Sequence, residues 1–247
     1  MHKNIQRLLL TSIICLPLLA NADAPEKLGV TSGISLGMNQ YKEPGSMELE
    51  GPELGFHMRS VNLPQWMNFQ FEGDLLLGQQ KYSSQKTGSL DRVSNIETRW
   101  RALAPLFGSP TSTEGFSTGL AVHTLWNDLR GTTSTGNTGY ERSSAQLWLP
   151  VRWASGNAWD IDTGWLLYGR HTSKLSQASA SYTDLLNTQH RGEYAQISVK
   201  VTLDQHTLTP FVRYTHLADS DLVNMGGQRW LEPDSQRWQI GAIWELR

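Results

Sequence analysis

Residues 28–39 read Leu28-Gly29-Val30-Thr31-Ser32-Gly33-Ile34-Ser35-Leu36-Gly37-Met38-Asn39, and the even-numbered positions are apolar save Ser32, while the odd-numbered ones are small or polar. Successive side chains of a strand point to opposite faces, so a period of two makes a strand with one apolar side. The same period returns in Leu54, Phe56 and Met58, in Met67, Phe69, Phe71, Leu75 and Leu77, in Ile96, Trp100 and Ala102, and in Leu120, Val122 and Trp126. It continues through Ala145, Leu147, Leu149, Val151 and Trp153, then Ile161, Trp165 and Leu167, then Ala195, Ile197, Val199 and Val201. Leu208, Val212 and Tyr214, and finally Trp238, Ile240, Ala242, Trp244 and Leu246, complete the series. No long helical period interrupts it, and the chain reads as one all-β domain over residues 25–247.

Alternation alone fits either a soluble sandwich or a membrane barrel. With 38% hydrophobic and 18% charged residues and a mean hydropathy of -0.40, the mature chain has no apolar run of helical-span length. A barrel is not excluded, because its strands mix lipid-facing and lumen-facing residues and average near zero. The connectors favour the barrel. Short turns at Asn62-Leu63-Pro64, at Ala154 to Asn157 and at Asp204-Gln205 alternate with longer loops around Lys42 to Glu50, Ser83 to Leu90, Gly131 to Gly139, Lys174 to Gln189 and Asp219 to Asp234. Only the turn near Gly108 to Glu114 is longer than the rule of short inner turns prefers. Ten Trp and seven Tyr suit aromatic girdles at two membrane interfaces. These features predict a ten-stranded antiparallel up-and-down transmembrane β-barrel with both ends in the periplasm and five surface loops.

Residues 1–22 have the layout of a secretory signal peptide: basic His2, Lys3 and Arg7, an apolar stretch from Leu8 to Ala20, and the small-x-small close Ala20-Asn21-Ala22. Cleavage after Ala22 removes Lys3 and Arg7 from the 21 basic residues, leaving 19 against 23 acidic ones. It also removes Cys15, the one cysteine, so closure of a sheet, not disulfides, must hold the exported chain together. A sequence pI near 6.4 gives no basic face for a nucleic-acid partner.

Taken together, the mature chain resembles the smaller bacterial outer-membrane β-barrel proteins over its whole length. That resemblance implies export through the periplasm to the outer membrane, insertion by the barrel-assembly machinery, and contact with lipopolysaccharide and phospholipid. It departs from the pattern at its end, where Arg247 follows Trp244 and Leu246 in place of a terminal aromatic residue.

The polar face carries Glu53, His57, Arg59, Glu72, Asp74, Glu97, Arg99, Arg101, His123, Arg142, Arg152, Asp160, Asp162, Arg170, Lys200, Arg213 and Glu245. Signs are mixed, so a narrow lumen is expected to fill with ion pairs and not to form a wide pore.

Strand seven reads Trp165-Leu166-Leu167-Tyr168-Gly169-Arg170-His171-Thr172-Ser173. Its apolar members are odd-numbered, so strict alternation sends His171 and Ser173 to the lipid side near the outer leaflet. Glu193 shares the parity of Ile197 and Val199 on the next strand. A hydroxyl, an imidazole and a carboxylate on one wall have the logic of an activated nucleophile. The pattern is similar to the active sites of lipid A 3-O-deacylase and outer-membrane phospholipase A, which implies Ser173 as nucleophile, His171 as base and Glu193 as its partner. Lys174 stands where those families have Asn.

The strand count also resembles the omptin proteases, whose rim acids and His would correspond to His216, Asp219 and Asp221. No Gly-rich phosphate loop, Cys-x-x-Cys pair or His-Glu-x-x-His occurs, and no cofactor or metal is expected. Lipid-ester hydrolysis, a surface-interaction, adhesin or structural role, and a small channel stay open as functions. Loops 174–189 and 219–234 are the surfaces for an external ligand. N-terminal sequencing of the exported protein should begin at Asp23, and a start at Met1 would refute the leader.

Overall fold

The computed structural model describes residues 29–61, 69–107, 114–156 and 158–246. The segment expected to be a leader, the expected turn at Asn62-Leu63-Pro64, residues 108–113 and Arg247 lie outside them. The strands are β1 (Gly29–Glu43), β2 (Met47–Val61), β3 (Gln70–Ser84), β4 (Gly88–Pro105), β5 (Glu114–Asp128), β6 (Glu141–Ser155) and β7 (Trp159–Ser173). They continue as β8 (Leu185–Gln189), β9 (Gly192–Val199), β10 (Val201–Leu203), β11 (His206–Leu217), β12 (Val223–Met225), β13 (Gln228–Trp230) and β14 (Ser235–Leu246).

Neighbouring strands pair antiparallel, and β14 returns to β1 from Ser32↔Leu246 to Lys42↔Gln236. That last ladder closes the sheet and removes both edges. Strands β8 and β9 follow β7 in one continuous register, Gly169↔Gln189 and then Trp165↔Glu193, with β10 carrying the same path onward. They form a single stave, so the wall is the ten-stranded barrel expected, with β12 and β13 a hairpin in an outer loop.

Two outer connectors differ from expectation. The predicted loops at Lys42 to Glu50 and Ser83 to Leu90 are tight turns through Pro44–Ser46 and Gln85–Thr87. Gly45 takes a φ of 74° in the first, a region open to glycine, and Ser46 N donates to Glu43 O at 2.9 Å. The cause is strand length: β1, β2 and β3 run 15 residues each, whereas about 9–11 suffice to cross a bilayer. The wall therefore rises past the membrane before it turns.

The outside is apolar. Leu36 is 72% exposed and Ile240 57%, and Phe56, Leu120, Ile161 and Ile197 share that surface. Trp153 and Trp159 flank the β6–β7 turn at one end of this belt, while the tilted rings of Tyr214 and Trp238 meet at 4.7 Å near the other. The buried residues are mostly polar or charged, the inverse of a soluble sandwich.

Aromatic and aliphatic groups interrupt the polar lumen. Trp148 and Tyr194, 0% and 1% exposed, meet edge to face at 5.4 Å and pack with Ala121, Leu166 and His123. Toward the outer end, Leu49, Val93 and Leu129 pack with Tyr41, Met47, Tyr82 and Leu90. The Tyr194 ring lies on bare backbone, since a Cβ at Gly164 would sit 2.5 Å from it. Trp148→Ala should lower stability by about 3–5 kcal/mol through the cavity left behind, read as a lower urea midpoint of the detergent-folded barrel.

Candidate functional site

The inward charges sort into tiers along the lumen. At the inner end Glu72 meets Arg59 at 2.7 Å, Arg152 at 2.6 Å, and Arg101. Arg152 also holds Asp160 at 2.6 Å, and Arg101 holds Asp162, which accepts from Tyr194 Oη at 2.9 Å. At mid-height Glu97 binds Arg99 and Arg237, each at 2.7 Å, and Glu53 accepts from Gln239 at 2.8 Å. The Arg213 guanidinium lies 3.9 Å over the Tyr194 ring. At the outer end Arg142 bridges Glu43, at 2.5 Å, to Glu232, which descends from the β13–β14 loop. Burial pushes the Glu232 carboxyl up, with Arg142 opposing.

This interior accounts for the expected polar face with one exception. Between β6 and β7 the register jumps from Leu147↔Tyr168 to Trp148↔Leu166, leaving Leu167 unpaired as a β-bulge. Leu167 and Tyr168 both face outward, and alternation beyond them is inverted. Arg170 therefore points outside, not into the lumen, whereas His171 and Ser173 point inside and are buried. The expectation that His171 and Ser173 face lipid is corrected by that single extra residue.

His171 Nε2 lies 3.3 Å from Glu232 Oε2 and 3.5 Å from Arg142 Nε. Glu193 does face outward, but its partner is His216 Nδ1 at 2.8 Å. The wall thus separates Glu193 from Ser173 and His171. The second sequence-derived set is also rearranged. His216 Nε2 meets Asp234 at 2.6 Å, Asp219 accepts from the Asp234 backbone N–H at 2.5 Å, and Asp221 pairs with His190 at 3.1 Å.

A different set lies together on three adjacent strands. Ser35 of β1 is 2.7 Å from His57 Nε2 of β2, and His57 Nδ1 is 2.9 Å from Asp74 Oδ1 of β3. The registers Ser35↔Gly55 and His57↔Asp74 produce this row. A side chain at Gly55 would collide with both Ser35 Oγ and His57 Nε2. His57 and Asp74 line a cavity of about 110 Å³ with Arg59, Arg99, Arg101 and Lys200. It lies at the periplasmic end, where β1 starts and β14 finishes, for Thr31 and Glu245 also border it. The sequence reading had these residues on the polar face but missed their meeting, because the cross-strand register was not fixed.

No protein-family model matches the chain, and no curated protein does. Among solved structures, the translocator domain of the autotransporter NalP from Neisseria meningitidis is 10% identical, with 99% of this chain and 96% of that one covered at a TM-score of 0.47. Neisserial surface protein A is also 10% identical, covering 90% and 99% of the two chains at a TM-score of 0.37. The outer membrane protease OmpT from Escherichia coli is 8% identical, covering 92% and 98% at 0.39. The wall itself decides the class, for it closes without an edge and turns its apolar side chains outward. The protein is a transmembrane β-barrel.

The outer tier of the barrel rests on Arg142. Arg142→Met should destabilise by about 3–5 kcal/mol, because Glu43 and Glu232 are left buried without a counter-charge. Adding Glu43→Gln and Glu232→Gln should restore most of the loss in urea unfolding.

Proposed function

We propose that this barrel lies in the outer membrane, is non-conducting and acts at its outer end, presenting preorganised loops to an extracellular partner. The observation that carries this reading is that the long loop through residues 219–234 is tied at its start to β8, the outer part of the wall. Asp221 N donates to Thr188 O at 2.8 Å, Asn187 Nδ2 to Asp221 O at 3.3 Å, and Gln189 Nε2 to Ala218 O at 3.3 Å. Ser220 N donates to Glu232 O at 3.0 Å, anchoring the same segment to the Arg142 cluster. Loops already ordered lose little entropy on binding.

Their surface fits a recognition role. Tyr182, Leu222 and Leu231 are exposed on these loops, and Tyr182 meets Trp230 edge-on at 6.2 Å. Apolar side chains grouped at an aqueous end mark a binding surface more often than a bare one. The lumen supports the non-conducting half, since paired charges and the Trp148–Tyr194 cluster occupy it at successive heights. Lipid-ester hydrolysis by Ser173, His171 and Glu193 would need all three on one side of the wall, and they are divided between two.

Cells displaying the native chain should bind a panel of immobilised surface glycans and matrix proteins above cells lacking it. Replacing Val223–Trp230 with a Gly-Ser linker of equal length should reduce that binding at least fivefold while the barrel still folds. The purified barrel should show no steady single-channel steps in planar bilayers. Equal binding by the variant, no binding by the native chain, or steady conductance would each overturn the reading.

A further inference from the structure

We propose that Ser35, His57 and Asp74 act as nucleophile, base and orienting acid toward small acyl esters that enter the periplasmic-end cavity of the barrel. Two contacts run in series: Ser35 Oγ to His57 Nε2 at 2.7 Å and His57 Nδ1 to Asp74 Oδ1 at 2.9 Å. A carboxylate accepts only, so Nδ1 carries the proton and Nε2 is left to accept from the Ser35 hydroxyl. That is the tautomer a serine nucleophile requires. Among the described residues no other Ser, His and carboxylate are joined in this way.

The surroundings argue for more than space filling. Arg99 and Arg101 border the same cavity, yet they pair with Glu97, Glu72 and Asp162, while Asp74 is kept for the imidazole. Gly55 leaves the hollow that lets Ser35 Oγ reach across to the ring. Ser35 itself is only 5% exposed, so an acyl carbon must approach past His57 and Gly33, which line the cavity.

Cavity size sets the substrate class. A space of about 110 Å³ is well below the roughly 300–1,000 Å³ of drug-sized ligand sites. Acetyl and similar short acyl groups fit; lipid acyl chains do not. In the reaction Ser35 Oγ bonds to the acyl carbon and its proton passes to His57 Nε2. The carbon–oxygen bond to the alcohol then breaks, and the alcohol leaves with that proton. A water that gives its proton to His57 attacks the acyl-Ser35 ester and frees the acid, restoring the hydroxyl.

The test uses the full-length mature barrel, folded in detergent, with p-nitrophenyl acetate as substrate and diisopropyl fluorophosphate as label. The native chain should release nitrophenol above a protein-free control, and octanoate ester should be turned over at least tenfold more slowly. Ser35→Ala should lose release to the control level, and Asp74→Asn should lower kcat about a hundredfold or more with KM little changed. Mass spectrometry should place the organophosphate on the peptide containing Ser35. Ser173→Ala should leave both readouts unchanged. Unheated electrophoretic mobility shows that each variant is folded. Activity preserved in folded Ser35→Ala, label at another residue, or no release and no label with the native barrel would overturn the proposal.

Discussion

The ladder between β1 and β14 is the contact without which the rest of the molecule has no place to stand. Hydrocarbon offers no hydrogen-bond partner to a free backbone N–H or C=O, and an open edge would leave a whole row of them. From Ser32↔Leu246 to Lys42↔Gln236 that row is paired. Closure in turn divides every strand into a side that meets lipid and a side that must be filled from within. A wall of ten staves leaves a bore narrow enough for Arg, Glu, Trp and Tyr side chains to bridge it.

Filling a narrow bore with charge brings its own requirement. An isolated buried ion is costly, and the barrel answers by giving its carboxylates guanidinium partners: Glu72 among three arginines, Glu97 between two, Arg142 between Glu43 and Glu232. Aromatic groups occupy the gaps between these tiers, with Arg213 over Tyr194 joining the two kinds of packing. The result ties distant strands together across the lumen, so the tube is braced from the inside as well as hydrogen-bonded around its circumference.

Fold and topology were legible in the sequence because period-two patterning is a property of single strands and survives without knowledge of their neighbours. Leu36, Phe56, Leu120 and Ile240 all face outward as their parity says. Site chemistry was less legible because it depends on register between strands. Placing a loop at Lys42 to Glu50 hid the three-residue turn at Pro44–Ser46, and only that turn sets Ser35 opposite Gly55 and within reach of His57. The partner register, His57 to Asp74, lies beyond the turn read at Asn62-Leu63-Pro64, and the place of a turn in the sequence does not by itself fix which residues face each other across it. Trp148 was missed as a lumen residue because it stands at an even position in a strand read only for its odd ones. His171 and Ser173 failed for a different reason: parity was carried unbroken past Leu167, and backbone irregularities leave no periodic signal.

The unpaired Leu167 gives the β7 stave two halves whose outward-facing positions have opposite parity. Above it, residues that strict arithmetic would offer to the bilayer are withdrawn into the salt-bridged interior, and the Arg170 side chain is turned outward instead. Gain or loss of one codon at such a spot trades the contents of two solvents at a stroke. Barrel walls can thus reassign which groups are displayed and which are stored without altering the residues themselves.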